Sequence, residues 1–157
     1  MATITQTEFE EQIEGVYAEI YVHEGVTAQS IATGAGYTKS TAFTTNGVSN
    51  NCTADATNDK ITITKAGTYK IECSLSFTAS ADNWFGSIFV DGTEQDKIHF
   101  ERKIGVGGDY GSTQFGGLVT VATAPVDVDL RFRSDSVSNE DLTVRYANLN
   151  VNRTGVS

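Results

Sequence analysis

The residues here best suited to acid–base or nucleophilic work are His23, His99, Cys52 and Cys73, with 20 carboxylates as possible partners. A histidine base needs a Ser or Cys beside it and a carboxylate to orient it. The two histidines lie in separate alternating segments, and the chain has no Gly-x-Ser-x-Gly nucleophile turn. Asp127 and Asp129 share one side of an alternating segment, followed by Asp135, Glu140 and Asp141. Glycoside hydrolysis would need two carboxylates across a cleft, one kept protonated. Asp alternating with Arg131 and Arg133 instead reads as a solvated strand face with cross-strand pairs. The 135–141 loop lacks the spacing of a calcium-binding EF-hand. The glycine-rich run Gly105 to Gly111 lacks the Lys-Ser/Thr ending and the helix that would make it a phosphate cradle. No catalytic residue, metal ligand or cofactor is therefore assigned, and the expectation is a protein that is not an enzyme.

The elements that must carry these residues read as strands. Tyr69, Ile71, Cys73, Leu75 and Phe77 alternate with Lys70, Glu72, Ser74 and Ser76, and Ile61 and Ile63 alternate with Thr62 and Thr64. A side-chain period of two over such lengths is a half-buried strand. Val16, Ala18, Ile20 and Val22 alternate with Tyr17, Glu19, Tyr21 and His23, and Val126 to Phe132 alternate with Asp127 to Arg133. Short strands are expected at Gln29–Ala32 and Thr41–Thr44, with turns at Gly34-Ala-Gly36, Asn46-Gly47 and Asp91-Gly92. Strands are also expected over Phe85–Val90, Lys97–Ile104 and Thr113–Val121. In Leu142–Val151, Leu142, Val144 and Tyr146 share one face and Leu149 and Val151 the other, which calls for a bulge near Ala147. About ten short strands make an antiparallel two-sheet jelly-roll sandwich.

Two segments carry bulky apolar groups on both faces: Tyr17 and Tyr21 opposite Val16 and Ile20, and Phe85 and Phe89 opposite Ile88 and Val90. A sandwich buries one face of each sheet, so self-association or scattered surface aromatics must account for the rest. Before the sandwich, Thr7–Glu14 is the helix candidate, with Thr7 and Glu10 at capping-box spacing and Phe9 and Ile13 four apart. A helix this short is marginal in water, so it is either a frayed terminus or an arm docked on something else. The domain reading is an arm over 1–15 and a jelly roll over 16–157.

Net charge is −9, and no Lys or Arg precedes Lys39 while six Glu do. Such a surface repels phosphate backbones and anionic membranes, so neither nucleic acid nor membrane is an expected partner; the leading segment favours a basic surface. No signal peptide or apolar span is visible, so two reduced thiols in a protein made in a cytoplasm are expected.

The segments Thr41-Ala-Phe-Thr-Thr-Asn-Gly47, Asp55-Ala-Thr-Asn-Asp-Lys-Ile-Thr-Ile63 and Gly67-Thr-Tyr-Lys-Ile71 resemble the jelly-roll family of tumour necrosis factor and the globular heads of complement's first component. With Val90-Asp-Gly92, His99-Phe-Glu-Arg-Lys-Ile104 and Leu142-Thr-Val-Arg-Tyr-Ala-Asn-Leu149, the chain is similar to tailed-phage structural proteins carrying that domain. The resemblance spans Tyr17 to Thr154. It implies a homotrimer packed through one sheet, with Tyr17, Phe115 and Tyr146 as the aromatic residues near the threefold axis. It also implies a virion protein made in the host cytoplasm and placed on the outer surface of the phage head. There it would decorate the major capsid protein through arm residues Ile4, Phe9, Glu10, Ile13 and Glu14. The alternative is the tip of a tail or head fibre that binds a host-surface glycan, with Trp84 and Tyr110 as stacking candidates; fifteen residues ahead of the roll are few for a fibre shaft. For Trp84, packing at the sandwich edge is the favoured reading over an exposed indole.

Overall fold

Strands with one apolar side can be buried only by facing two sheets toward each other. That is the arrangement in the computed structural model, which describes residues 3, 5–32, 34, 36–106 and 109–156. Its elements are α1 (Gln6–Ile13), β1 (Tyr17–His23), β2 (Gln29–Ile31), β3 (Thr38–Lys39), β4 (Thr45–Asn50), β5 (Cys52–Asp55), β6 (Lys60–Ile63) and β7 (Gly67–Ala79), then β8 (Asn83–Val90), β9 (Thr93–Lys103), β10 (Tyr110–Val121), β11 (Val126–Ser134) and β12 (Glu140–Gly155). One sheet has the order β10-β7-β12-β1-β4, with β2 on β12; the other has β5-β6-β11-β8-β9, with β3 on β11. Ile20, Ile71, Cys73 and Leu149 of the first sheet meet Ile61, Ile88, Leu130 and Phe132 of the second, all with no exposed surface. Phe100 lies 6.0 Å from Phe77 and 5.1 Å from Phe115 between ring centroids. Gly86 makes room for it, since a β-carbon there would sit 2.2 Å from Phe100 Cε1.

Four expectations are corrected or sharpened. Thr41–Thr44 is not a strand; side chains take the N–H groups of Thr41, Ala42 and Phe43, and Thr44 N–H reaches Tyr21 O at 3.1 Å. Thr41 N–H donates to Gln29 Oε1 at 2.9 Å and Phe43 N–H to Asp59 Oδ1 at 2.8 Å. Asn46-Gly47 is not a turn but lies inside β4. Asn46 Oδ1 accepts from Ala56 N–H at 2.7 Å, and a β-carbon at Gly47 would lie 2.2 Å from Glu19 Cγ. The chain reverses at Asn51 instead, in the left-handed region at φ 52. The parity change in β12, expected near Ala147, falls at Arg145, between Val144 and Tyr146. There the β1–β2 connection captures the backbone: Gly25 N–H donates to Arg145 O at 2.9 Å, and Arg145 Nη1 to Gly25 O at 2.8 Å. Tyr146 consequently leaves the face of Leu142 and Val144 and turns outward. Lastly, the helix starts one residue early; Thr5 O accepts the first bond, from Phe9 N–H at 3.0 Å.

Candidate interaction surface

Strand register assembles the outward face of the β10-β7-β12-β1-β4 sheet in rows. One row runs Gln114, Ser74, Asn148, Tyr21 and Thr45; another runs Leu118, Lys70, Asn152, Tyr17 and Asn50. Beside the first, Ser76 and His23 flank Tyr146, whose ring meets His23 edge-on at 5.2 Å. The face holds a groove of about 990 Å³ bordered by Tyr21, His23, Ser74, Gln114, Tyr146 and Asn148. Tyr17 is 38% exposed and Tyr146 42%. Between those two rows runs a third, Gly116, Glu72, Asn150 and Glu19, with Lys70 on Glu72 at 2.9 Å and Asn148 Nδ2 donating to Glu19 at 2.9 Å. The face thus sets exposed aromatic rings, which interfaces favour, among polar side chains and paired charges.

Of the three residues expected near a threefold axis, Tyr17 and Tyr146 share this face and Phe115 does not. Phe115 pairs with Cys73, so it points between the sheets and packs on Phe100. Tyr21 and Asn148 belong to the face; the alternation of β1 already placed Tyr21 beside Tyr17, while Asn148 became legible only once the Arg145 bulge was located.

The second two-faced segment has another explanation. On the outside of β8, Arg133 lies 3.7 Å above the Phe85 ring and Arg131 4.2 Å above the Phe89 ring, while Tyr37 meets Phe89 edge-on at 5.4 Å. Guanidinium groups on aromatic faces cover those rings within the protomer. No neighbour is needed there.

Asp127 and Asp129 are each engaged by neighbouring side chains. Asp127 accepts from Lys60 Nζ at 2.8 Å and Thr62 Oγ1 at 2.6 Å. Burial works to raise its pKa, but these bonds outweigh that and hold it below the usual range. Asp129, buried, accepts from Arg131 Nε at 2.7 Å and Nη2 at 3.2 Å. His99 Nδ1 lies 2.5 Å from Asp96 O. Among the described residues no three His, Cys, Asp or Glu side chains converge as a metal site. Cys52 and Cys73 are unpaired and buried; burial pushes the Cys73 thiol up to about 12 and raises that of Cys52.

Trp84 is fully buried, and its Nε1 donates to Ser80 O at 2.9 Å, so its indole cannot stack on a sugar. Tyr110 is exposed at the start of β10.

On α1, Phe9 is 56% exposed and Glu10 accepts from Gln6 Nε2 at 3.0 Å. Ile4 lies outside the described residues, as does the side chain of Ile13. Glu14 is turned back onto the roll. It pairs with Lys65, a bond that with the one from Asn51 holds its carboxyl below the usual range.

No protein-family model matches the sequence, and no curated protein matches it. Solved structures do. The Eiger TNF of S. frugiperda matches at 8% identity and TM-score 0.62, covering 92% of this chain and 95% of that one. The globular domain of zebrafish complement 1qA matches at 12% identity and TM-score 0.64, covering 92% and 100%. Murine APRIL matches at 10% identity and TM-score 0.57, covering 87% and 98%. The chain is an all-β, two-sheet jelly roll of the tumour necrosis factor and complement-head type. At these identities the likeness defines the fold and no more.

Proposed function

We propose that this protein is a homotrimeric decoration protein of a phage head, joined through the Tyr17–Tyr21–Tyr146 face and fixed to the outer shell by its N-terminal arms. The observation that carries the reading is Phe9, which stands 56% exposed on a helix that contributes no described side chain to the buried core. An apolar side chain presented on an acidic helix suits a shallow pocket with a basic rim. Three arms on one assembly would bind with avidity, so each contact can be weak. A trimer that binds the assembled shell, but not its dissociated subunits, stabilises the head by linkage. The burial of Trp84 removes one of the two stacking residues behind the fibre-tip alternative and so favours decoration.

The test is co-sedimentation with capsids that lack the protein. The full chain is expected to pellet with the shell, and a chain of residues 16–157, folded and self-associated as before, is expected to stay in solution. Equal pelleting of the two refutes docking by the arm.

A further inference from the structure

The junction between arm and roll is built more elaborately than a tether requires. Glu14 directly follows α1, and an acidic residue at a helix C-terminus opposes the helix dipole; α1 has no basic residue in its last turn to offset it. A local rule broken at one place invites a reason at that place. Here Glu14 pairs with Lys65, in the connection between β6 and β7, and Asn51 Nδ2 donates to Glu14 Oε1 at 2.6 Å. Arg153 Nη2 donates to Glu14 O at 3.4 Å, and Asn50 Nδ2 to Gly15 O at 2.5 Å. The socket is itself pinned to the sandwich. Lys65 O accepts from the hydroxyl of fully buried Tyr69 at 2.7 Å, and Asn51 O accepts from Thr64 Oγ1 at 2.7 Å.

We propose that Glu14 is a positioning residue: held by Lys65 and Asn51, it fixes the direction in which the arm leaves the roll, so that arm and roll dock as one rigid body. The proposal rests on the reading of the arm as the docking element. A preset direction removes the ordering cost of binding, and in a trimer it removes that cost three times. Glu14 then acts through Lys65 and makes no contact with the shell, in contrast to Phe9.

The experiment is a double-mutant cycle on the full chain with Glu14→Ala, Lys65→Ala and both, read two ways. A spin label at Thr3→Cys reports arm mobility, and titration of decoration-free capsids reports affinity; native thiols are masked by burial, and thermal melts confirm that each variant folds. Each single variant is expected to mobilise the label and weaken capsid binding about tenfold, with the double variant no worse than either single. Wild-type affinity in Lys65→Ala, with loss in Glu14→Ala, would mean that Glu14 touches the shell directly and would overturn the proposal. An unchanged label spectrum in both singles would overturn it as well. Because the label is read without capsids, the clasp is decided even if residues 16–157 alone prove sufficient for shell binding.

Discussion

Replacing Arg131 with alanine should destabilise the protein by about 3 kcal/mol. Asp129 is 4% exposed although it lies on the solvent side of β11, and the Arg131 guanidinium reaches it through two bonds of 2.7 and 3.2 Å. Breaking a fully buried pair by removing one partner costs about 3–5 kcal/mol. The Arg131 side chain is 26% exposed, so water would partly rescue the stranded carboxylate, and about 2 kcal/mol is the better figure. Loss of the guanidinium from the Phe89 face adds about 0.5–1 kcal/mol. For a domain of this size that total lowers Tm by about 6–12 °C. The assay is thermal or urea unfolding at one fixed protein concentration, because an oligomer's melting depends on concentration. Adding Asp129→Asn to Arg131→Ala should recover about 2 kcal/mol, since no charge is then left buried, while Arg131→Lys should fall between. A Tm within 1 °C of wild type, on the order of a few tenths of a kcal/mol, or a double variant no more stable than Arg131→Ala, refutes this account of the β8–β11 surface. A change of oligomeric mass in Arg131→Ala would place that surface at an interface instead.

Tyr146→Asp puts a charge into the proposed contact face and should weaken self-association by about 30-fold or more, roughly 2 kcal/mol per contact, in sedimentation equilibrium. Neither thiol should react with an aromatic disulfide reagent at pH 8 in the native protein, and two should react in denaturant, because burial pushes Cys73 up to about 12 and raises Cys52. Asp127 is ionised more readily folded than unfolded, so its contribution is present above the unfolded pKa, about 3.9, and fades as pH falls through the lower folded value. Asp127→Asn should accordingly flatten the acid limb of urea midpoint against pH, and an unchanged limb would show that Lys60 and Thr62 do not hold that carboxylate.

Where one side of a strand is uniformly apolar, the fold was legible. Ile61, Ile63, Ile71 and Phe77 needed nothing beyond the period of two, and Asp91-Gly92 announced its own hairpin, both residues having positive φ. What stayed hidden was set by contacts far along the chain. The parity change in β12 was legible, but its position is fixed by Gly25, 120 residues from Arg145. Phe115 sits among Gly, Ser and Thr, so β10 has little alternation of its own, and its facing follows from pairing with Cys73. Trp84 is the local case: packing at the sandwich edge was already the better reading, and Ser80 O, four residues away, accepts its indole N–H. The candidate site divides in the same way. Tyr17 and Tyr21 could be placed from β1 alone, whereas the Glu14 socket draws on Lys65, 51 residues away, and Arg153, 139 away.

An electron cryomicroscopy map of capsids incubated with the protein tests the central claim most directly. The account predicts threefold knobs in which the sheets carrying Tyr17, Tyr21 and Tyr146 face one another, with three helices descending from the Glu14 end into the shell. Single protomers on the shell, knobs joined through the β5-β6-β11-β8-β9 sheet, or bare capsids at saturating protein would contradict it.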